Sequence, residues 1–485
     1  MSVLPPTIEH VFAWTPPAEG AALLARAAEA ARAEASAAAA RLDAVGAFVD
    51  ACTSAAGGAT EEWAVDVVAA AAAEVAAALR ISQGLAESQV RYAEALRHRL
   101  RELGARFAAG DVSEAAFRAA VFRTGLIEDA EILARVDATL ARRMPTWGSA
   151  GRREIDKRID RVVARVDRDA VRRRKDFVGG RGVTISQLVD GLSEVHATVY
   201  ATDAEAIAQR IAALERSVCD ADPRTAAERR ADALAVAALG GDRLSCRCDL
   251  DGCTAGGRVV GPVVVHVVTD QATLDGSGDG GAVVPGYDGL FPADLVAEIA
   301  AEAKRRPLLP PTSEPEPRYR PSSRLAEWVR WRDLTCRFPN CDVPAHGCDL
   351  DHTVPYGDGG STRASNLKCL CRFHHLVKTF WGWRDEQFDD GTVLWTAPTG
   401  VRYVTVPGGV ALFGGLAAPG TATPAPSPEG PCTDRTAMMP HRRRSRRQQR
   451  AADVLAERTA NHRARMERLR RYAGGGTRDG TPPPF

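Results

Sequence analysis

The sequence predicts a multidomain protein with a mostly α-helical N-terminal domain, a small mixed α/β segment and a C-terminal module rich in cysteine and histidine. Its 485 residues are too many for one compact core. From residue 17 to residue 240, apolar positions recur every three to four residues, which is the helical period. Residues 306–322 are proline-rich, and the dense cysteines and histidines follow them.

Net charge, hydropathy and cysteine count together indicate in which cellular compartment the protein is expected. The formal net charge is +1, so it argues neither for nor against a nucleic-acid partner. The N-terminal residues lack a basic stretch followed by an apolar one, and no run of about 18 uncharged apolar residues occurs. Eleven cysteines, an odd number without a secretory signal, favour thiols and metal ligands over disulfides. We therefore expect a cytoplasmic protein with no membrane contact.

Residues 1–244 form the predicted helical domain. Stretches such as AALLARAAEAARAEASAAAARL combine strong helix formers with the helical apolar period, and glycine pairs mark the turns. Residues 151–176 are rich in arginine and aspartate, which predicts a solvated helix stabilised by pairs four residues apart. Contact of these arginines with DNA is the less favoured alternative, because acidic residues are interleaved with them. The helical domain as a whole could bind another protein or a second copy of the chain.

Residues 245–305 form the predicted mixed segment, an appendage of the helical domain. It contains a cysteine-dense turn, CRCDLDGC, a β-branched strand at 257–270 and a short helix at 293–305. Residues 306–322 predict an extended linker, because so many prolines fit neither helix nor strand. After the module at 323–413, residues 414–485 predict a disordered basic tail with one candidate helix at 451–472.

The cysteine-dense turn raises the prospect of a metal site. Cys246, Cys248 and Cys253 are close in sequence, and Cys219 is the best candidate for a fourth ligand. A thiol-rich turn without metal explains the same pattern and is the commoner use of such residues.

The module at 323–413 begins with an amphipathic helix, SRLAEWVRWRD, and ends with three short strands. Between them lie two short-spaced pairs of metal-ligand residues, Cys336 with Cys341 and Cys371 with His374. Two such pairs on either side of an intervening segment suit a four-coordinate structural Zn²⁺. The ion would hold together a small fold that has little core of its own.

The intervening segment carries residues suited to phosphodiester hydrolysis. Asp351 and His352 end a short strand, Asn366 follows a glycine turn, and His375 lies on a helix predicted over 367–378. A histidine can deprotonate water near neutral pH, and a carboxylate suits a hard divalent cation. The adjacent Asp and His can therefore divide the two tasks between them.

The segment DLDHTVPYGDGGSTRASNLKCLCRFHHLVK resembles the HNH endonucleases, whose ββα-metal core is a hairpin and a helix around one divalent ion. The resemblance implies that His352 is the general base and that Asn366 pins the loop and orients it. It implies that Asp351 and His375 bind Mg²⁺ or Mn²⁺, and it makes Lys378 a candidate phosphate contact. On helix 367–378 a solvent-exposed lysine is equally common.

Upstream, VCDADPRTAAERRADAL at 218–234 resembles the helical domain of unknown function that precedes the HNH module in many actinobacterial proteins, including the repeat-family proteins of mycobacteria. The expected activity is hydrolysis of DNA. The alternative is a non-catalytic, zinc-stapled DNA-binding module with a helical scaffold domain, which would need neither Asp351 nor His352. The basic tail, including 441–450, is expected to bind nucleic acid without sequence preference or merely to aid solubility.

Overall fold

The computed structural model divides the chain into two units, Met1–Arg172 with Ala437–Phe485, and Arg173–Thr436. It describes residues 19–148, 150–172, 182–187, 192–199, 201–251, 253, 255, 267–278, 280–283, 290, 292, 293, 296, 300, 304–312, 314–416 and 438–474. Most of the strand predicted at 257–270 and of the helix predicted at 293–305 lies outside the described residues. The predicted boundary at 244 does not coincide with the division at Arg172.

The first unit is helical, as the alanine and leucine pattern predicts. Several helices begin at a side chain that accepts hydrogen bonds from the first turn, among them Asp66, Ser113 and Asp129. The helices are α1 (Gly20–Ala56), α2 (Val67–Leu79), α3 (Gln83–Glu94), α4 (Arg101–Ala108), α5 (Glu114–Arg123), α6 (Ala130–Arg143) and α7 (Arg152–Val166).

One hydrophobic core joins these helices. Phe107 and Phe117 lie fully buried within it, with ring centroids 4.9 Å apart. The outer face of α7 carries ion pairs four residues apart, Arg152 with Asp156 and Arg158 with Glu154. The expectation of a solvated, charge-paired helix in this segment is confirmed.

The second unit begins with a β-hairpin where the sequence predicted helix. Strands β1 (Gly182–Gln187) and β2 (Ser193–Thr198) pair antiparallel, and both alternate β-branched with polar residues. The prediction of helix throughout residues 17–240 is therefore wrong here, because the period of two was overlooked. Helices α8 (Ala201–Glu215), α9 (Ala226–Ala238) and the short α10 (Gln271–Leu274) follow.

The C-terminal module is built as a helix, a hairpin, a second helix and a meander. The predicted helix is present as α11 (Ser323–Asp333), and strands β3 (Asp349–His352) and β4 (Leu367–Leu370) pair antiparallel. Residues 367–370 are thus strand, and the helix predicted at 367–378 begins later. It is α12 (Arg372–Phe380), followed by β5 (Arg384–Gln387), β6 (Val393–Thr396), β7 (Arg402–Thr405) and α13 (Gly408–Leu412).

Residues 306–322 do not separate two compact units, because both flanks lie in the second unit. The end of this segment binds the module. The backbone N–H of Glu316 donates to the carbonyl oxygen of Thr362 at 2.9 Å, and Tyr319 stacks on His352 with ring centroids 5.3 Å apart. The expected linker is therefore part of the module's surface at its C-terminal end.

Residues 446–474 of the predicted disordered tail form a helix, while 417–437 and 475–485 lie outside the described residues. Helix α14 (Arg446–Gly474) includes the candidate helix at 451–472 and belongs to the first unit. Arg458 pairs with Asp167 at 2.7 Å, Arg465 pairs with Asp169 at 2.9 Å, and Val454 is buried in the helical core. Acidic residues almost 300 positions earlier in the chain thus neutralise two arginines of the predicted basic tail.

Within the described residues, no single helix has the length and apolar composition needed to cross a membrane. The two consecutive helical segments Val67–Leu79 and Gln83–Arg99 are together long and apolar enough, but the chain bends by 109° between them.

Candidate functional site

The four predicted zinc ligands of the C-terminal module come together. The donor atoms of Cys336, Cys341, Cys371 and His374 all lie within 4.8 Å of one another. Nδ1 of His374 is 3.7 Å from the sulfur of Cys336 and 3.2 Å from that of Cys371. A tetrahedral Zn²⁺ with bonds of about 2.0–2.3 Å needs separations of about 3.5 Å between its donors. The set can therefore hold a structural metal ion.

Local backbone geometry positions these ligands. Asn340 takes a positive φ of 57° inside the first knuckle, which turns the chain so that Cys341 faces back toward Cys336. The phenyl ring of Phe338 stacks on His374 with centroids 4.0 Å apart and an angle of 8°. Burial raises the pKa of the Cys336 thiol well above its usual range. The stacking of Phe338 on His374 thus orients the imidazole toward the three thiols.

The second cluster of cysteines also converges. The sulfurs of Cys219, Cys246, Cys248 and Cys253 lie within 4.8 Å of one another, and those of Cys219 and Cys246 are 3.4 Å apart. The four-cysteine arrangement, which the sequence left second to a thiol-rich turn, is the one that the structure contains. This set too can hold a metal ion.

An arginine fork joins the two segments that supply these cysteines. Arg224 donates to both carboxylate oxygens of Asp222, at 2.9 and 2.7 Å, and to the carbonyl oxygen of Ser245 at 2.6 Å. Its other terminal nitrogen pairs with Asp232 on α9 at 2.6 Å. The segment 218–234, singled out in the sequence, thus provides one sulfur and the polar frame that holds the others.

The hairpin and α12 bring the candidate catalytic residues to one place. Asp351 and His352 end β3, and His375 lies on the first turn of α12. Nε2 of His375 is 3.4 Å from Oδ1 of Asp351. Adjacent ligands of a hard divalent cation with bonds of about 2.1 Å are about 3.0 Å apart, so these two atoms are close to a shared coordination sphere.

Two lysines donate hydrogen bonds to Oδ2, the other oxygen of the Asp351 carboxylate. Lys368, opposite Asp351 in the sheet register, donates to Oδ2 at 2.9 Å, and Lys378 donates to it at 2.6 Å. Both lysines also pair with the buried Asp385, at 2.5 and 3.1 Å. Although burial alone would raise the pKa of Asp351, the two ammonium groups hold it well below its usual range. Lys378 is therefore an ion-pair partner whose side chain is 13% exposed, and its role as a phosphate contact stays a prediction.

Asp349 is a candidate site residue that the sequence analysis did not identify. Its Oδ2 lies 2.9 Å from Nδ1 of His375, on the far side of the ring from Asp351. A carboxylate at Nδ1 keeps a proton there and leaves Nε2 free to bind a metal. The sequence signal was available, because Asp349 and Asp351 are two apart on one strand and so share a face.

His352 is buried between the end of segment 306–322 and the loop after β3. Its Nε2 is 3.0 Å from Oγ1 of Thr362, and Tyr319 covers its ring. Burial lowers the pKa of His352, although Asp351 opposes that shift. The ring is therefore neutral near pH 7 and able to accept a proton.

Asn366 pins the loop between the two strands, as the resemblance implied. Its amide nitrogen donates to the carbonyl oxygens of Val354 and Ser361 at 3.1 and 2.9 Å, and its amide oxygen accepts from the N–H of Val354 at 2.9 Å. Gly360 is required in the same loop, because a Cβ there would lie 1.9 Å from the carbonyl oxygen of Val354. The loop that follows His352 is thus held closed.

A cleft of about 470 Å³ opens beside this cluster. Asp349 and His375 form part of its lining, together with Arg320, Arg330 and Arg372. The three guanidinium groups outnumber Asp349, which pairs with Arg372 at 3.5 Å, so the cleft beside the candidate metal ligands is positive. Arginine at such a position suits the phosphate groups of a nucleic acid.

Comparison with known proteins identifies the family. A family model described as "Domain of unknown function (DUF222)" matches residues 29–333. Uncharacterized protein Rv3776 of Mycobacterium tuberculosis is 41% identical over 471 residues, covering 91% of this chain and 90% of its own. Uncharacterized protein Rv2100 of the same organism is 38% identical over 521 residues, covering 96% and 94%. No solved structure matches the chain. The chain belongs to the DUF222 family, and its candidate metal sites lie in the Cys219 cluster and in the module beyond residue 333.

Proposed function

We propose that this protein is an HNH-type endonuclease that hydrolyses DNA phosphodiester bonds with a divalent cation, Mg²⁺ or Mn²⁺. The observation that carries the proposal is the approach of Asp351 Oδ1 to His375 Nε2 at 3.4 Å on a hairpin and helix, with His352 next in sequence. The two lysines bind only Oδ2 of Asp351, so Oδ1 and Nε2 of His375 remain as the two donor atoms for a cation.

His352 is the proposed general base. The Thr362 hydroxyl lies 3.0 Å from Nε2 of His352 and 3.4 Å from the carbonyl oxygen of Tyr319, to which it can donate. We propose the tautomer in which Nε2 of His352 carries the proton and donates it to Thr362. Nδ1 is then the basic atom and would take the proton of the attacking water. Asn366 keeps the adjoining loop closed and so holds the position of the imidazole.

Asp351 and His375 would hold the divalent ion, with Asp349 orienting the imidazole. When bound, such an ion supplies Lewis-acid stabilisation of the scissile phosphate and of the leaving oxygen. The arginines of the adjacent cleft would bind neighbouring phosphates of the strand.

We also assign Zn²⁺ to both cysteine clusters, as a structural ion. Donor sets of three thiolates with one imidazole, and of four thiolates, are those of closed structural zinc sites. Each ion would join segments that are distant in sequence, so its binding energy would contribute directly to folding.

A plasmid-nicking assay tests the proposal. The full-length protein, purified without chelator, is incubated with supercoiled, linear and single-stranded DNA and with Mg²⁺ or Mn²⁺. We expect cleavage by the wild type and its loss in His352→Ala. His196→Ala, which alters an exposed histidine of β2, is the matched control and should cut normally.

Two outcomes contradict the nuclease assignment. In one, zinc-loaded wild type cuts no form of DNA with either cation. In the other, His352→Ala cuts at the wild-type rate. The first outcome, combined with retained DNA binding, would favour the alternative of a zinc-stapled DNA-binding module without catalysis.

A further inference from the structure

The first unit contains a large cavity that the nuclease proposal does not use. It has a volume of about 1200 Å³ and lies between α2, α3 and α5 on one side and the segment 442–457 on the other. All of its lining residues belong to one compact unit. The C-terminal segment, by packing onto the N-terminal helices, thus creates an open cleft of ligand size.

Arginine dominates the charged lining of this cavity. Eight arginines and four carboxylates line it, and Asp66 pairs with Arg442 and Arg446 from just outside the lining, which leaves three positive charges in excess. The arginines are Arg91, Arg99, Arg172, Arg442, Arg443, Arg444, Arg446 and Arg450, and the acids are Glu87, Glu94, Asp453 and Glu457. An excess of cations facing a shared space attracts an anion.

Two of these arginines, Arg99 and Arg172, are partly buried, and Arg172 pairs through one terminal nitrogen with Glu457 at 3.2 Å. The guanidinium of Arg99 donates to the carbonyl oxygen of Thr124 at 3.2 Å, and in the part of the chain that the structure describes it has no ion pair within 4 Å. Burial lowers its pKa, and the like charges of Arg450 and Arg172 add to that shift. Nε of Arg172 is buried and finds no hydrogen-bond acceptor among the described residues.

An aromatic ring lies beside these arginines. Phe122 also lines the cavity; its side chain is 54% exposed, and the guanidinium of Arg172 lies 4.5 Å from its ring centroid. An exposed ring next to guanidinium groups is the combination on which nucleic-acid bases stack while their phosphates are neutralised. Apolar side chains, among them Val90 and Val121, complete the wall.

We propose that this cavity binds the phosphate groups of nucleotides, either free or within a single strand of nucleic acid. Arg99, Arg172 and Arg443 contact phosphate, and Phe122 stacks on a base. The inference is independent of the nuclease assignment, because the cavity and the candidate catalytic residues lie in different units.

Equilibrium binding to the full-length protein tests this inference. The probes are ATP and a fluorescein-labelled oligothymidylate of about 15 nucleotides, a length that covers the usual site sizes. Titrations are run at several salt concentrations in the His352→Ala background, without added Mg²⁺, so that cleavage does not interfere. Arg99→Gln and Arg443→Gln alter the cavity. Arg468→Gln, an exposed arginine of α14 that does not line the cavity, is the matched control.

We expect each cavity variant to weaken binding about tenfold or more, because a charged hydrogen bond is lost. The dependence of affinity on salt should fall by about one ion per arginine, whereas Arg468→Gln should change neither. Competition of ATP with the oligonucleotide would identify a free nucleotide as a sufficient ligand; binding of the oligonucleotide alone would identify a strand.

The proposal is overturned if neither probe binds the protein at low salt. It is equally overturned if Arg468→Gln weakens binding as much as the cavity variants do. If Arg99→Gln lowers the melting temperature, its weaker binding could reflect partial unfolding. The result for Arg443→Gln then tests the proposal, because Arg443 is exposed and lies outside the helical core.

Discussion

The carboxylate of Asp349 lies 2.9 Å from Nδ1 of His375, while Asp351 lies 3.4 Å from Nε2 of the same ring. One imidazole therefore connects two carboxylates of a single strand. The first of them sets the tautomer and the second shares the candidate cation site.

Replacing Asp349 tests this arrangement. We expect Asp349→Asn to lower divalent-cation affinity or cleavage about 10- to 100-fold, because the tautomer and orientation of His375 are no longer fixed. Zinc content should not change. Asp358→Asn, an exposed aspartate of the neighbouring loop, is the control. Titration of nicking activity with Mg²⁺ measures the effect, and equal activity in both variants would show that Asp349 has no such role.

His352 and His375 should fail in different ways. His352→Ala removes the proposed base, so cleavage should fall about a hundredfold to ten-thousandfold at any Mg²⁺ concentration. His375→Ala removes a proposed cation ligand, so high Mg²⁺ should restore part of the activity. Restoration of His352→Ala by Mg²⁺, or an unaffected His375→Ala, would contradict these roles.

Asp351→Ala is expected to unfold the module more readily as well as to abolish cleavage. Its carboxylate is the partner of the buried Lys368 and of Lys378, so its loss leaves ammonium charge that Asp385 alone must neutralise. Removing one partner of a buried ion pair costs about 3–5 kcal/mol. Denaturant unfolding measures this, and Asp349→Asn, at a more exposed aspartate, should be far milder. A stable Asp351→Ala variant would show that the lysines find other partners.

Elemental analysis should find two zinc ions per chain. Cys336→Ser and Cys219→Ser should each lose one, because every ligand of a closed tetrahedral site is needed. Cys52→Ser, which alters a cysteine of α1 outside both clusters, should retain two. If the wild type and Cys219→Ser both contained one zinc ion per chain, the four-cysteine cluster would not be a zinc site.

Packing of α14 should weaken only in strong acid. A hydrogen bond from Arg465, opposed by partial burial, lowers the pKa of Asp169 from 3.8 to about 2. A depressed carboxyl pKa adds stability that is present above the unfolded value of about 3.9 and is lost as the pH falls through about 2. The gain is about 1 kcal/mol or less, since the pair is partly exposed. Hydrogen exchange of residues 446–474 between pH 2 and 5 measures it. Arg465→Gln should move the loss toward pH 4, and an unchanged profile would contradict the role of the pair.

Short-range signals in the sequence predicted most of the metal chemistry. The spacing of Cys336 from Cys341, and of Cys371 from His374, is enough to indicate a four-ligand site, because such knuckles have few other uses. The strand at Asp349–His352 and the helix at Ser323–Asp333 follow from local periodicity. The roles of Asp351 and His352 in cleavage stay predictions that activity assays must test.

Relationships that depend on pairing distant segments were missed. Lys368 faces Asp351 only because the hairpin register places them opposite each other, and the sequence around 367–378 favoured a helix. The arginines of α14 find Asp167 and Asp169 almost 300 residues upstream. A charge run read alone resembles a solvated tail, because its partners lie too far along the chain to be recognised by spacing.

The placement of α14 in the first unit has a consequence for synthesis. Residues 173–436 separate α7 from the helix that completes its unit. At about 5–20 residues per second, translation of this insertion takes on the order of tens of seconds. During that time the seven N-terminal helices exist without the side chain of Val454 in their core. The cysteine-rich unit, although encoded later than those helices, is the first whose sequence is complete on the ribosome, so the nascent helical unit is the one exposed to chaperones and proteases.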